Sequence, residues 1–177
     1  MSEYLFNPFI DRLSRDIRNE LSEGLAAAVE TGKGELLAET VAKYRRQPLA
    51  DYYRTYLEDR YSRYEKALAV ISQGVTDPIH RGLILWDLGL FFEVHEVLEH
   101  AWYTAAEGAM KATLQALIRA AGVYIKREYG FYDSAGRIAE KAVPVLEANR
   151  ELLAKYFSPD RLISVLAVAE IPAPRLL

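Results

Sequence analysis

Apolar residues recur at spacings of three and four along most of the 177-residue chain, and no stretch alternates at two. That is the period of an amphipathic helix rather than of a strand. Ile10, Leu13, Ile17, Leu21, Leu25 and Ala28 mark a first helix, started by Asn7 and Pro8 as cap and first-turn proline and ended by Gly32 and Gly34. Leu36, Leu37, Thr40, Val41 and Tyr44 mark a shorter one that stops before Pro48. Tyr53, Tyr56, Leu57, Arg60, Tyr64, Leu68 and Ile71 carry a third over 49–71. Gly74 lies in a linker that ends in a second cap-then-proline start, Asp77 and Pro78, and a short helix follows to Trp86. Gly89 breaks the pattern and places Asp87 close to the cap of the next helix.

The stretch 88–106 is apolar around most of a helical wheel, which is the mark of a helix covered on most sides. His95 falls near the middle of its apolar arc and Glu99 one turn further on, while Glu96 sits at the border. Glu93, His100 and Glu107 share the narrow polar remainder. A carboxylate carried inside needs a partner, because an unpaired one costs several kcal/mol or takes a proton. His95, Glu96 and Glu99 are therefore expected to form one bonded cluster.

A helix over 109–129 follows, with Met110, Leu114, Leu117, Ile118, Ala121, Tyr124 and Ile125 as its core face. Gln115, Arg119, Gly122 and Lys126 make a stripe beside that face, and Gly122 would allow another backbone to come close. Asp133 or Ser134 can cap the next helix, in which Pro144 should mark a kink or the true start. Pro159 opens a last short helix, and 171–177 cannot continue it; the apolar residues there suggest a segment lying on a surface, its own or a neighbour's. The expected fold is all-α, a compact bundle of seven or eight helices without a sheet. Residues 1–75 form a helical extension packed on the bundle, and 76–177 the main helical domain with its C-terminal tail.

Composition narrows the function classes. Net charge is −3 and charged residues of both signs make up 27%, so there is no global bias toward nucleic acid. The absence of cysteine excludes disulfides, thiolate metal sites and cysteine nucleophiles. The first residues carry neither a basic start nor an apolar signal core, and no apolar run approaches the roughly 20 residues of a membrane span. A cytoplasmic protein is expected. The third helix and the stretch leading into it combine Tyr44, Tyr52, Tyr53, Tyr56, Tyr61 and Tyr64 with Lys43, Arg45, Arg46, Arg54, Arg60, Arg63 and Lys66. Basic plus aromatic is a nucleic-acid or phosphate pattern, but a tyrosine packing seam beside a charged face bearing Asp51, Glu58, Asp59 and Glu65 explains it more simply. Nucleic-acid binding is not expected, and His80 reads as a surface histidine.

The run from Asp87 to Trp102, with Gly89, Phe91, Phe92, Glu93, His95, Glu96, Leu98, Glu99 and Trp102 in register, resembles the signature of a helical family catalogued as domain of unknown function 309. Leu114, Gln115, Leu117 and Ile118 extend the resemblance, which covers residues from about 79 to 153. Asp87 replaces the family's asparagine, Ala116 a glycine and Arg119 a glutamine. The resemblance implies a small α-helical domain and no particular activity.

Three chemistries are open to the cluster. His95-Glu96-x-x-Glu99 is a zincin-like spacing in which His95 and Glu99 could chelate a divalent metal and Glu96 act as base. Gln115, Arg119 and Lys126 could instead face His95, Glu96 and Glu99 and support acid–base chemistry without a metal. In the third reading Glu99 accepts from Arg119 or Lys126, Phe92 and Trp102 close the group, and the network is structural. That third reading makes the protein a non-enzymatic interaction module, self-associating or binding a protein partner, with no cofactor firmly implied. It is the reading the charge balance favours.

Overall fold

Asp11, not Asn7, caps the first helix. In a computed structural model, which describes residues 5–177, the Asp11 carboxylate accepts the Ser14 N–H at 2.8 Å and opens α1 (Arg12–Thr31). Asn7 does bond locally, its side chain accepting the Phe9 N–H at 3.0 Å, but this closes a turn that leaves Ile10 exposed. Gly32 ends α1 in the left-handed conformation, φ 71°, as a Cβ-free residue readily does. After it come α2 (Glu35–Arg45) and α3 (Asp51–Ile71).

The chain divides into two compact units between Gly74 and Val75. In the first, α1 packs on α2 and α3. Gly24 sets the α1–α2 distance: a Cβ there would lie 2.8 Å from the Leu37 Cα. Several basic residues of α3 and its approach are engaged with neighbours. Arg45 grips Glu58 with two bonds of 2.9 and 2.7 Å, Arg63 reaches Asp59 at 2.9 Å, and Arg54 donates to the Leu49 carbonyl at 2.8 Å. Tyr44 and Tyr64 are buried. These contacts are those of a packing seam edged with ion pairs.

The second unit begins with α4 (Pro78–Asp87), capped by Asp77, which accepts the His80 N–H at 2.9 Å. Gly89 takes φ 69° and turns the chain, with the Leu90 N–H returning to the Leu85 carbonyl at 3.0 Å. The break falls where the pattern placed it, but α5 (Phe91–Thr104) starts without a side-chain cap; Asp87 belongs to α4 and points elsewhere. α6 (Ala109–Glu128) packs against both α5 and α7 (Tyr132–Ala148). Met110, assigned to the α6 core face, is exposed, because the helix has only just left the Gly108 turn. α7 starts at Tyr132, before either expected cap, and Pro144 lies within it on the exposed side. The carbonyl four residues earlier, on exposed Glu140, is open to water, so the lost hydrogen bond costs little there. α8 (Arg150–Leu153) is a single turn split from α7 at Asn149, and α9 (Asp160–Leu166) is the last. These are nine helices with no strand among the described residues, one short turn beyond the expected number. No helix among them is long and apolar enough to cross a membrane.

Gly82 and Gly122 show which helices come close. A Cβ on Gly82 would meet the Leu98 side chain at 2.9 Å, so this glycine, on α4, admits α5. Gly122, the position expected to admit a backbone, has only an Ile138 methyl at 3.9 Å from a built Cβ.

Candidate metal centre

α5 buries one edge, not most of its circumference. Val94 and Leu98, one turn apart, are 2% exposed, and Glu93 beside them 1%. The carboxylate carried inside is therefore Glu93, which the wheel had set on the polar arc. His95 and Glu96 keep a third of their side-chain surface in solvent, and Glu99 is half-buried. A wheel gives the angular width of an apolar arc but not the width of the surface that meets it. α4 and α6 both pack against α5, yet their contact leaves the 95–96–99 edge accessible.

On that edge the three residues converge. His95, Glu96 and Glu99 each offer one ligand atom, and these atoms lie within 4.8 Å of one another. The spacing follows from helical geometry, since positions 95, 96 and 99 occupy adjoining corners of one turn. The His95 Nδ1 stands 3.2 Å from the Glu96 Oε1. The Phe92 ring lies nearly parallel to the imidazole, 9° apart with centroids at 6.5 Å. Farther along, the Lys111 ammonium stands 5.2 Å above the Trp102 ring while pairing with Glu107 at 2.7 Å. Trp102 and Tyr103 contact each other at 5.2 Å.

The expected structural network is not formed. Glu99 pairs with neither Arg119 nor Lys126, and His95 bonds Glu96 rather than Glu99. Arg119 and Gln115 are half-buried, and no hydrogen bond joins either to the cluster. The Lys126 ammonium stands 5.3 Å over the Phe131 ring. Gln115, Arg119 and Lys126 lie at spacings that match one stripe of α6, but among the described residues none of them pairs with Glu96 or Glu99. His80 is exposed on α4, its ring 6.3 Å from that of Tyr156.

The sequence reading missed a second polar centre. The Trp86 indole N–H donates to the Pro174 carbonyl at 2.9 Å, and Asp87 accepts the N–H groups of Leu176 and Leu177 at 2.7 and 3.1 Å. Leu176 is 2% exposed. Leu176 of the last segment thus lies on the chain's own surface, and the Asp87 carboxylate holds the segment there. The available signals were Asp87 itself and the leucines that end the sequence. Trp86 in turn meets Phe91 and Tyr124 edge-on at 5.2 and 5.3 Å, tying α4 to the start of α5 and to α6.

No curated protein and no solved structure matches the chain. Residues 79–138, the stretch that holds α4, α5, α6 and the opening of α7, match the family model described as domain of unknown function DUF309, the family that the α5 motif resembles.

Proposed function

We propose that this protein is a helical metal-binding module whose α5 edge holds one divalent cation through His95, Glu96 and Glu99. The observation that carries the reading is the convergence of an imidazole and two carboxylates within 4.8 Å on an accessible face, with no Lys or Arg among the described residues paired to Glu96 or Glu99. Ligand atoms around a tetrahedral zinc with bonds of about 2.0–2.1 Å stand about 3.3 Å apart, so small side-chain rotations close the set. One nitrogen and two carboxylate oxygens suit zinc, manganese or ferrous iron better than calcium, which prefers six to eight oxygens. All three ligands come from one turn, so the outer coordination positions face solvent and are open to water or a small anionic ligand.

The test is a thermal-shift series on metal-free protein with zinc, manganese and nickel, joined to elemental analysis of the native protein. A ligand at one hundred times its dissociation constant stabilises the folded state by about 2.7 kcal/mol. The expected result is about one ion per chain and a metal-dependent rise in Tm that His95→Ala and Glu99→Gln abolish. No shift with any of the three ions, or an equal shift in both variants, overturns the reading.

A further inference from the structure

We propose that the corner made by Trp86 and Asp87 is a receptor for an extended Pro-Arg-Leu segment, and that the same segment of a second copy of this chain docks there by exchange with the resident one. The inference is independent of the cation reading. The resident segment is held by main-chain groups and one apolar anchor: the Pro174 carbonyl on the Trp86 indole, the Leu176 and Leu177 N–H groups on the Asp87 carboxylate, and the Leu176 side chain buried to 2% exposure. Arg175 between them brings its Nε within 3.7 Å of the same carboxylate. Main-chain bonds for affinity and one side-chain seat for specificity are how folded proteins read extended peptides. The acceptor is prepared for this task. The Asp87 side chain is only 7% exposed, and Trp86 is fixed edge-on against Phe91 and Tyr124.

The connection to this segment packs against little and is held by two turn bonds, Val168 N–H to the Val165 carbonyl at 3.0 Å and Ile171 N–H to the Val168 carbonyl at 3.3 Å. Residues 167–171 are all exposed, after α9 has ended at Leu166. Arg127 anchors the root by donating to the Leu166 carbonyl at 2.6 Å, and touches the Ile171 carbonyl only at 3.4 Å. Leu176 lies ten positions beyond Leu166, a reach of about 33–36 Å when extended. A second copy brings the identical segment and the identical corner, so reciprocal docking closes as a two-fold exchange without new surface chemistry. In one chain the segment meets its own corner at an effective concentration on the order of millimolar, which keeps exchange silent until the internal competitor is disabled.

Complementary variants of the full chain expose it. Asp87→Ala damages the receptor and keeps the segment; Leu176→Asp damages the segment and frees the receptor. By sedimentation velocity each variant alone is expected to be monomeric, and their equimolar mixture to form a one-to-one heterodimer. Folded variants that stay monomeric in the mixture overturn the proposal. So does a heterodimer that persists when Asp87→Ala is replaced by the double variant Asp87→Ala/Leu176→Asp. Should either variant fail to fold, a fluorescent peptide of sequence 171–177 is titrated to millimolar concentration into the unmodified protein. Saturable binding lost in the Leu176→Asp peptide supports exchange, and its absence overturns it.

Discussion

The Asp87 carboxylate and the Leu176 main-chain N–H meet at 2.7 Å across 89 positions of sequence. With the Leu177 N–H on its other oxygen, Asp87 accepts from two donors, of which the Leu176 N–H belongs to a buried residue and the Leu177 N–H to an exposed one. Asp87→Ala should lower stability by about 1–3 kcal/mol, the cost of leaving such groups unsatisfied. Asp87→Asn keeps one good acceptor and should cost less. Denaturant midpoints give the ranking, and hydrogen exchange at Leu176 and Leu177 tests its cause: protection there should fall before that of the α6 amides.

Two of the three carboxylates of α5, Glu93 and Glu99, should respond very differently to removal. Glu93, at 1% exposure, is placed where substitution disturbs packing and polar satisfaction together, so Glu93→Ala should cost about 2–4 kcal/mol. Glu99 is half-buried and makes no hydrogen bond or ion pair among the described residues, so Glu99→Gln should move stability by no more than about 0.5 kcal/mol. Chemical denaturation of both variants in chelator decides it; a large loss in Glu99→Gln would restore a structural role for that residue.

Glycine substitutions separate close backbone approach from idle flexibility. Gly24→Ala places a methyl group 2.8 Å from the Leu37 Cα, where only backbone movement relieves it, and should destabilise by about 1–3 kcal/mol. Gly82→Ala meets the far end of the Leu98 side chain at 2.9 Å, which can turn aside, so its cost should be smaller. Gly136 lies inside α7 with nothing within 4 Å of a built Cβ, and Gly136→Ala should raise stability by about 0.5–1 kcal/mol. Thermal midpoints in that order are the expected result.

Asp11 gives the first unit an acid-sensitive latch. Burial pushes its carboxyl up, but hydrogen bonds from the Ser14 hydroxyl and N–H and from the Tyr53 hydroxyl outweigh burial and hold it below the ordinary carboxylate value. The folded state therefore favours the charged form. That contribution is complete above the unfolded value of 3.8 and is lost as pH falls through the lowered one. Tyr53 is shifted the other way, first by its bond with Tyr52, then by burial and by Asp11. Its phenol stays protonated, and its contribution disappears only as pH rises past the usual tyrosine range. Urea midpoints over roughly pH 2–6 should fall less steeply in Asp11→Asn than in the unmodified protein.

Much of this architecture is legible in the residues, and the failures have physical causes. Asp77 with Pro78, the glycines at 32 and 89, and the seam from Ile17 to Leu25 act as their chemistry dictates, because caps, left-handed turns and helical faces are local. Asn7 with Pro8 shows the same local chemistry but ends in a turn, since a stronger cap with three donors follows at Asp11. The α5 cluster was recognisable as a group, yet its depth was not: placing His95 and Glu99 inside required knowing how far α4 and α6 wrap that helix. The Trp86–Pro174 and Asp87–Leu176 bonds span some ninety residues, and no periodicity carries that information.

The chain has two indoles, and each stands beside a different centre. Trp86 is 3% exposed and touches the docked segment; Trp102 is half-exposed, one helical turn past Glu99. A shielded fluorophore emits toward the blue and a hydrated one toward the red, so native emission resolves into two optical channels. Trp86→Phe would silence the first and leave a label-free reporter of events along α5. Without a single cysteine in the sequence, a dye introduced at any chosen position would report alongside them unambiguously.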